Sequence, residues 1–173
     1  MNRDPYIALN KFPKFTLVSK DINDGQQLSL AQLSVRIGGQ DLSPHLLWSG
    51  FPDQTKSFAV TVYDPDAPTP SGFWHWAIYN IPKYTTELIQ GIGDGNGDLP
   101  KGCIAIKNDR GLKSFIGAAP PVGTGKHRYF FVVYALDVKE LELSSDATPA
   151  FLAFNLLTHT VAWASIISWY EQF

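Results

Sequence analysis

Only one cysteine, Cys103, occurs in 173 residues. No disulfide can close within the chain and no cysteine cluster can hold a metal. Cys103 opens the apolar run Cys103-Ile104-Ala105-Ile106, which reads as strand, so a buried structural thiol is expected rather than a reactive one. An excess of one charge is missing too: 14 Lys and Arg oppose 16 Asp and Glu, for a net charge of -2. With no basic surplus to neutralise a phosphate backbone, nucleic acid is not an expected partner. No apolar stretch reaches the ~18 residues of a membrane span, and the opening Met1-Asn2-Arg3-Asp4-Pro5 has no apolar signal core. The expectation is a soluble, cytoplasmic protein without an integral membrane segment. No repeat of solenoid period and no Gly-x-Ser-x-Gly elbow of a serine hydrolase is present.

What is abundant is apolar and aromatic surface, 45% and 13% of residues, enough to bury a core without staples. Turn residues are spread along the chain and not gathered in a linker, so residues 1–173 read as one domain. Between Ser57 and Asp64, Phe58, Val60 and Val62 alternate with Ala59, Thr61 and Tyr63, the period of a strand. Phe73 to Ile81 and Arg128 to Val138 are apolar on both parities, as central strands covered on two faces are. Shorter strands are expected at Phe15–Ser19, Leu46–Trp48 and Cys103–Lys107. The segments Gly91–Pro100 and Asn108–Lys126 are too rich in glycine and proline to be regular elements. Near the end, Thr148 can cap a helix with Pro149 in its first position. Phe151, Phe154, Leu157, Val161, Ala164 and Ile167 then recur at three- and four-residue spacing, predicting one long helix to about Tyr170. Strands followed by a terminal helix imply a mainly β protein, an antiparallel core with a peripheral helix.

Three segments carry the candidate chemistry. Asp64-Pro65-Asp66-Ala67-Pro68-Thr69-Pro70 holds two carboxylates on proline-stiffened backbone at a strand end; a plain acidic turn is the alternative. In the next strand His75 shares its parity with Phe73, Ala77 and Tyr79, opposite Trp74, Trp76 and Ile78. It is either a satisfied core imidazole or the partner of a nearby carboxylate. His127 and Tyr129 fall on one face where a glycine-rich loop enters the long strand, and Arg128 turns away. An imidazole, a phenol and turn amides together suit an anion. With Asp64 holding a histidine protonated or in one tautomer, anion affinity is expected to fall between about pH 6 and 8. His75, His127 and Asp64 or Asp66 also permit a two-histidine, one-carboxylate metal site and a metal-assisted hydrolase. Neither close histidine spacing nor cysteine supports that alternative, so no metal, no cofactor and no catalysis are expected. His45 and His159 read as structural.

Two blocks, Asp64-Pro65-Asp66-Ala67-Pro68 with Phe73-Trp74-His75-Trp76 and Asn80, and the run Gly117 to Tyr129, resemble the phosphatidylethanolamine-binding protein family. These proteins are also known as Raf kinase inhibitor proteins, and the likeness is to their bacterial branch. The resemblance implies a large central antiparallel sheet, a smaller sheet, short flanking helices and a small pocket for phosphate-like anions. Carried over by position, Asp64, Pro68, Phe73, His75, Pro121, His127 and Tyr129 would form the pocket, with Gly117 and Ala119 lending loop backbone. A phosphoethanolamine-like or phospholipid head group is the implied ligand. A kinase or serine-protease partner inhibited through the pocket loops is the alternative, and a homodimer through an aromatic surface is allowed. Two departures stand out: Gly117-Ala118-Ala119-Pro120-Pro121 replaces a Gly-Pro-x-Pro-Pro pattern, and Phe115 replaces a tyrosine whose hydroxyl could help hold a head group.

Overall fold

The computed structural model describes residues 4–173; the opening Met1-Asn2-Arg3 lies outside them. Eight strands form two antiparallel sheets. Strands β1 (Thr16–Val18), β2 (Leu46–Ser49) and β5 (Glu87–Leu88) make the smaller sheet in the order β1-β2-β5. The larger contains β3 (Ser57–Asp64), β4 (Phe73–Pro82), β6 (Ile104–Ala105), β7 (His127–Leu136) and β8 (Thr160–Tyr170), in the order β6-β4-β3-β7-β8. Helix α1 (Pro149–His159) packs on its outer face.

The two-sided apolar strands are explained by this layering. Phe58, Val60, Val62, Phe131 and Val133 face the small sheet, where Leu46, Trp48 and Leu88 meet them. Ala59, Val132 and Tyr134 face the other way, under Leu152 and Leu156 of α1. Parity therefore separates two cores, and β3 and β7 are buried on both faces.

The expected helix to Tyr170 is corrected by β8. Helix α1 ends at His159, and Thr160 to Tyr170 pair antiparallel with β7. A spacing of three and four also fits a strand once every second residue is counted. Ala162, Ala164 and Ile166 face one core, and Trp163 and Ile167 the other. The free edge of β7 offers backbone hydrogen bonds that a helix on its own could not offset, so tertiary pairing decides. The apolar face read for the helix is also wrong: Phe151 and Phe154 are exposed, whereas Leu152 and Leu156 are buried.

The cap is where it was expected. Thr148 accepts a hydrogen bond from the Phe151 amide, and Pro149 starts the helix. Thr148→Ala should cost about 1 kcal/mol, readable as a lower urea midpoint at unchanged slope. Cys103 sits half-buried just ahead of β6 rather than inside a strand. Burial pushes its thiol up to about 12, which leaves it inert.

Candidate functional site

Both β4 and β7 run antiparallel to β3, so the end of β3 lies beside their beginnings: Asp64 pairs with Phe73, and Tyr63 with Phe130. Three segments remote in sequence thereby meet at one end of the central sheet. They surround a cavity of about 180 Å³, closed by residues 116–121 of the long loop. Asp64 and Pro68 come from the end of β3 and its turn, Phe73 and His75 from β4, and His127 and Tyr129 from β7. Gly117, Ala119 and Pro121 line the loop side.

His75 reaches this cavity through an irregularity that simple alternation misses. Val62 pairs with Trp76 but Tyr63 with Trp74, so His75 is one residue extra, a β-bulge. The bulge turns His75 and Trp76 to the same side, not opposite sides as parity predicts. The His75 ring meets those of Phe73 and Tyr129 at 4.9 and 5.2 Å, and Trp76 packs into the inter-sheet core. Ala77 and Tyr79, its expected companions, lie in the opposite core.

The two histidines are held differently. His75 Nδ1–H donates to the Ile116 carbonyl at 2.8 Å, which leaves Nε2 for the cavity. Burial pushes this imidazole below its ordinary value, opposed only in part by the Ile116 carbonyl and by Asp64, Asp109 and Asp41. It is a neutral ring with a lone pair facing the cavity. His127 Nδ1–H donates to Asp64 Oδ2 at 2.8 Å, and both residues are buried. Its Nε2 lies 2.8 Å from Thr124 Oγ1, and that hydroxyl also donates to the Pro121 carbonyl. Both nitrogens of His127 therefore have a hydrogen-bond partner. Asp64 Oδ1 accepts the amides of Asp66 and Ala67, at 2.7 and 3.0 Å.

Asp66 takes no part in the cavity. Its carboxylate forks onto Arg128, at 2.7 Å to Nε and 2.8 Å to the second nitrogen, and accepts the Arg128 amide at 3.0 Å. Burial alone would raise its carboxyl; the Arg128 hydrogen bonds and charge outweigh that and hold it below the usual range. The turn is thereby stapled to β7, and Asp64 is left to His127.

The Tyr129 hydroxyl is buried and has no hydrogen-bond partner among the described residues. Burial, reinforced by the charges of Asp64 and Asp66, keeps it well above the ordinary tyrosine range, a neutral donor. Of the two loop residues expected to lend backbone, Gly117 has its amide already engaged, as do its neighbours. The amides of Gly117, Ala118 and Ile116 donate to Asp41, Gln32 and His75. Gly117 is needed for packing instead, since a Cβ there would sit 2.3 Å from the Leu33 carbonyl carbon. Phe115 packs edge-on against Trp76 and lines a neighbouring cavity, not this one, so a hydroxyl at this position would not point at the same ligand.

Sequence reasoning missed Ser34, Arg36 and Arg110 at the cavity wall. Nothing in their neighbourhood is a motif; only the fold brings residues 34–36 against residue 110. Thr124 lay within the resembling block, yet spacing gave no hint of its bond to His127. His45 accepts the Lys20 amide and donates to Glu87, and His159 meets Asp137, away from the cavity. Among the described residues no three His, Cys, Asp or Glu side chains gather as metal ligands. No described helix is long and apolar enough to cross a membrane.

Comparison with known proteins adds to this geometry. A family model for phosphatidylethanolamine-binding protein matches residues 18–171. The Escherichia coli K12 protein YbhB is 43% identical over 157 residues, covering 90% of this chain and 99% of its own. YbcL of the same organism is 42% identical over 160 residues, covering 91% and 87%. The crystal structure of E. coli YbcL, described as a new member of the mammalian PEBP family, superposes with a TM-score of 0.88 at 41% identity, over 92% of this chain and 99% of that one. A carboxypeptidase Y inhibitor, solved with its cognate proteinase, shares the fold alone, at a TM-score of 0.60 and 17% identity over 93% and 85% of the two chains.

Proposed function

Because the chain belongs to the phosphatidylethanolamine-binding protein family, we propose that it binds a small phosphate-like anion, free or as a phosphomonoester head group, in the cavity between Asp64, His75, His127 and Tyr129. The observation that carries this reading is the Tyr129 hydroxyl, a buried donor with no protein partner. Leaving such a donor unsatisfied costs about 1–3 kcal/mol, and a ligand oxygen would recover it. His127 Nε2–H is the second donor, once a ligand oxygen replaces the exposed Thr124 hydroxyl that now occupies it. Asp64 acts through His127: it fixes the ring and would offset the charge of an imidazolium that donates to a bound anion, so a carboxylate near an anion is not a contradiction.

The arrangement favours holding over reacting, and we read the protein as a binder rather than an enzyme. Both oxygens of Asp64 and both nitrogens of His127 already have partners, which supports a holding role for this pair. Modulation of a kinase or protease is a second reading, supported by Val122, which is 63% exposed on the loop that closes the cavity. A His75→Ala variant that lost anion binding but kept inhibition would favour it.

Thermal unfolding with inorganic phosphate tests the first reading. At about 100 times the dissociation constant the fold should gain about 2.7 kcal/mol. Tyr129→Phe should weaken phosphate by about tenfold, the value of one hydrogen bond, yet leave the ligand-free protein as stable or more stable. Unchanged affinity in this variant would remove the hydroxyl from the site.

A further inference from the structure

The cavity that holds the proposed anion lies beside a second, larger one of about 340 Å³. The two share a wall made of Ser34, Arg36, Arg110 and Ile116. Neither guanidinium has an ion pair among the described residues. Both are exposed and both border each cavity. The third described arginine, Arg128, is spent on Asp66, and no lysine lines either cavity.

The backbone under each arginine is built, not incidental. Arg36 lies in a 3-10 turn, Val35–Ile37, capped by Ser34, whose hydroxyl accepts the Arg36 amide. The Arg110 amide donates to the buried Asn108 side chain, which also accepts the Leu112 amide and donates to the carbonyls of His75 and Ser114. The bulged strand that carries His75 is therefore tied directly to the turn that carries Arg110. The carboxylates of the outer cavity are occupied: Asp41 accepts the Gly117 amide, and Asp94 accepts the amide and side chain of Asn96.

A phosphate group held at Tyr129 and His127 fills only part of the inner cavity, and the substituent of a phosphomonoester can extend from it along the wall that carries Arg36 and Arg110. Asp41 and Asp94 keep their charge but are held by amides, whereas the two guanidiniums are the ionic groups left there without partners among the described residues, and arginine meets an anion with paired hydrogen bonds. We infer that Arg36 and Arg110 form an outer subsite for a second negative group, so that the preferred ligand is a small phosphomonoester bearing a carboxylate or second phosphate rather than phosphoethanolamine. This rests on the anion reading of the inner cavity.

Calorimetric titration of the full chain with inorganic phosphate, phosphoethanolamine and 3-phosphoglycerate at fixed pH and ionic strength tests it. The wild-type protein should prefer 3-phosphoglycerate to phosphoethanolamine by about tenfold or more, the value of one charge-assisted hydrogen bond. An Arg36→Gln/Arg110→Gln variant should lose most of that preference; because both side chains are exposed, it should fold. Equal affinities in the wild-type protein, or a preference that survives in the double variant, would overturn the outer subsite and leave the inner one standing. No binding of any of the three, inorganic phosphate included, would overturn the inner site and this inference with it.

Discussion

Asp64→Ala is expected to destabilise the fold by about 3 kcal/mol or more, because it leaves three N–H groups at a buried site without their acceptor. Asp64 and His127 are both buried, at 3% and 1% exposure, and their contact is 2.8 Å. Alanine would strand the His127 Nδ1–H in the interior and release the amides of Asp66 and Ala67 from their shared acceptor. Water cannot reach the first of these groups without opening the sheet end. The measurement is a urea titration in the absence of ligand, with a lower midpoint at unchanged slope. Asp64→Asn should fall between wild type and alanine: the amide oxygen can still accept the Asp66 and Ala67 amides, but the amide nitrogen faces the His127 donor. Asp66→Asn is the control. Its pair with Arg128 is partly exposed and solvent screens it, so its loss should stay near about 1 kcal/mol. If Asp64→Ala cost no more than Asp66→Asn, the Asp64–His127 contact would not be what organises this end of the sheet.

The difference between these two carboxylates shows where sequence reading stops. Both sit in one stiff Asp-Pro-Asp turn, and both could have faced a histidine. Which one does so depends on Arg128, which β7 presents to Asp66 and which parity did place on the face away from His127. The central strands were legible because their apolar residues occupy both parities, a pattern that only two-sided burial produces. Strand β8 was not, because its alternating Ala162, Ala164 and Ile166 are also compatible with a helix and only the edge of β7 chooses between them. The bulge at His75 was invisible for a similar reason: it is a property of pairing with β3, not of the β4 sequence. Gly117 does line the cavity, but what requires glycine there is its contact with Leu33. A glycine's need for space is set by a neighbour that may be far along the chain, so its position was readable and its reason was not. The arginines of the outer wall belong to the same class, contributed by turns more than seventy residues apart in sequence.

The bulge also changes the expected pH response of ligand binding. An ordinary histidine would lose its charge across about pH 6 to 8, but the His75 imidazole is held lower by burial. In the ligand-free fold it presents a lone pair to the cavity, because Nδ1–H is committed to Ile116. A bound oxyanion needs a donor at Nε2, so binding should carry one proton onto His75. Sulfate affinity should then rise as pH falls, approaching about tenfold per unit below the ordinary histidine value and above the lowered one. Sulfate is the useful probe because it brings no proton of its own in this range, whereas a phosphate monoanion could donate to a neutral His75 directly. Stability without ligand should run the other way. A histidine whose folded pKa is depressed binds its proton more readily when unfolded, so its contribution is present above about 6.5 and is lost as pH falls towards the folded value. Sulfate should therefore stabilise most where the free protein is weakest. His75→Gln removes the titrating group while keeping a side-chain donor, so it should flatten the pH slope of sulfate affinity without abolishing binding. A slope that persists in His75→Gln would move the proton to another group at the site; a flat profile in the wild-type protein would mean that His75 stays neutral beside the anion and that Tyr129 and His127 do the holding.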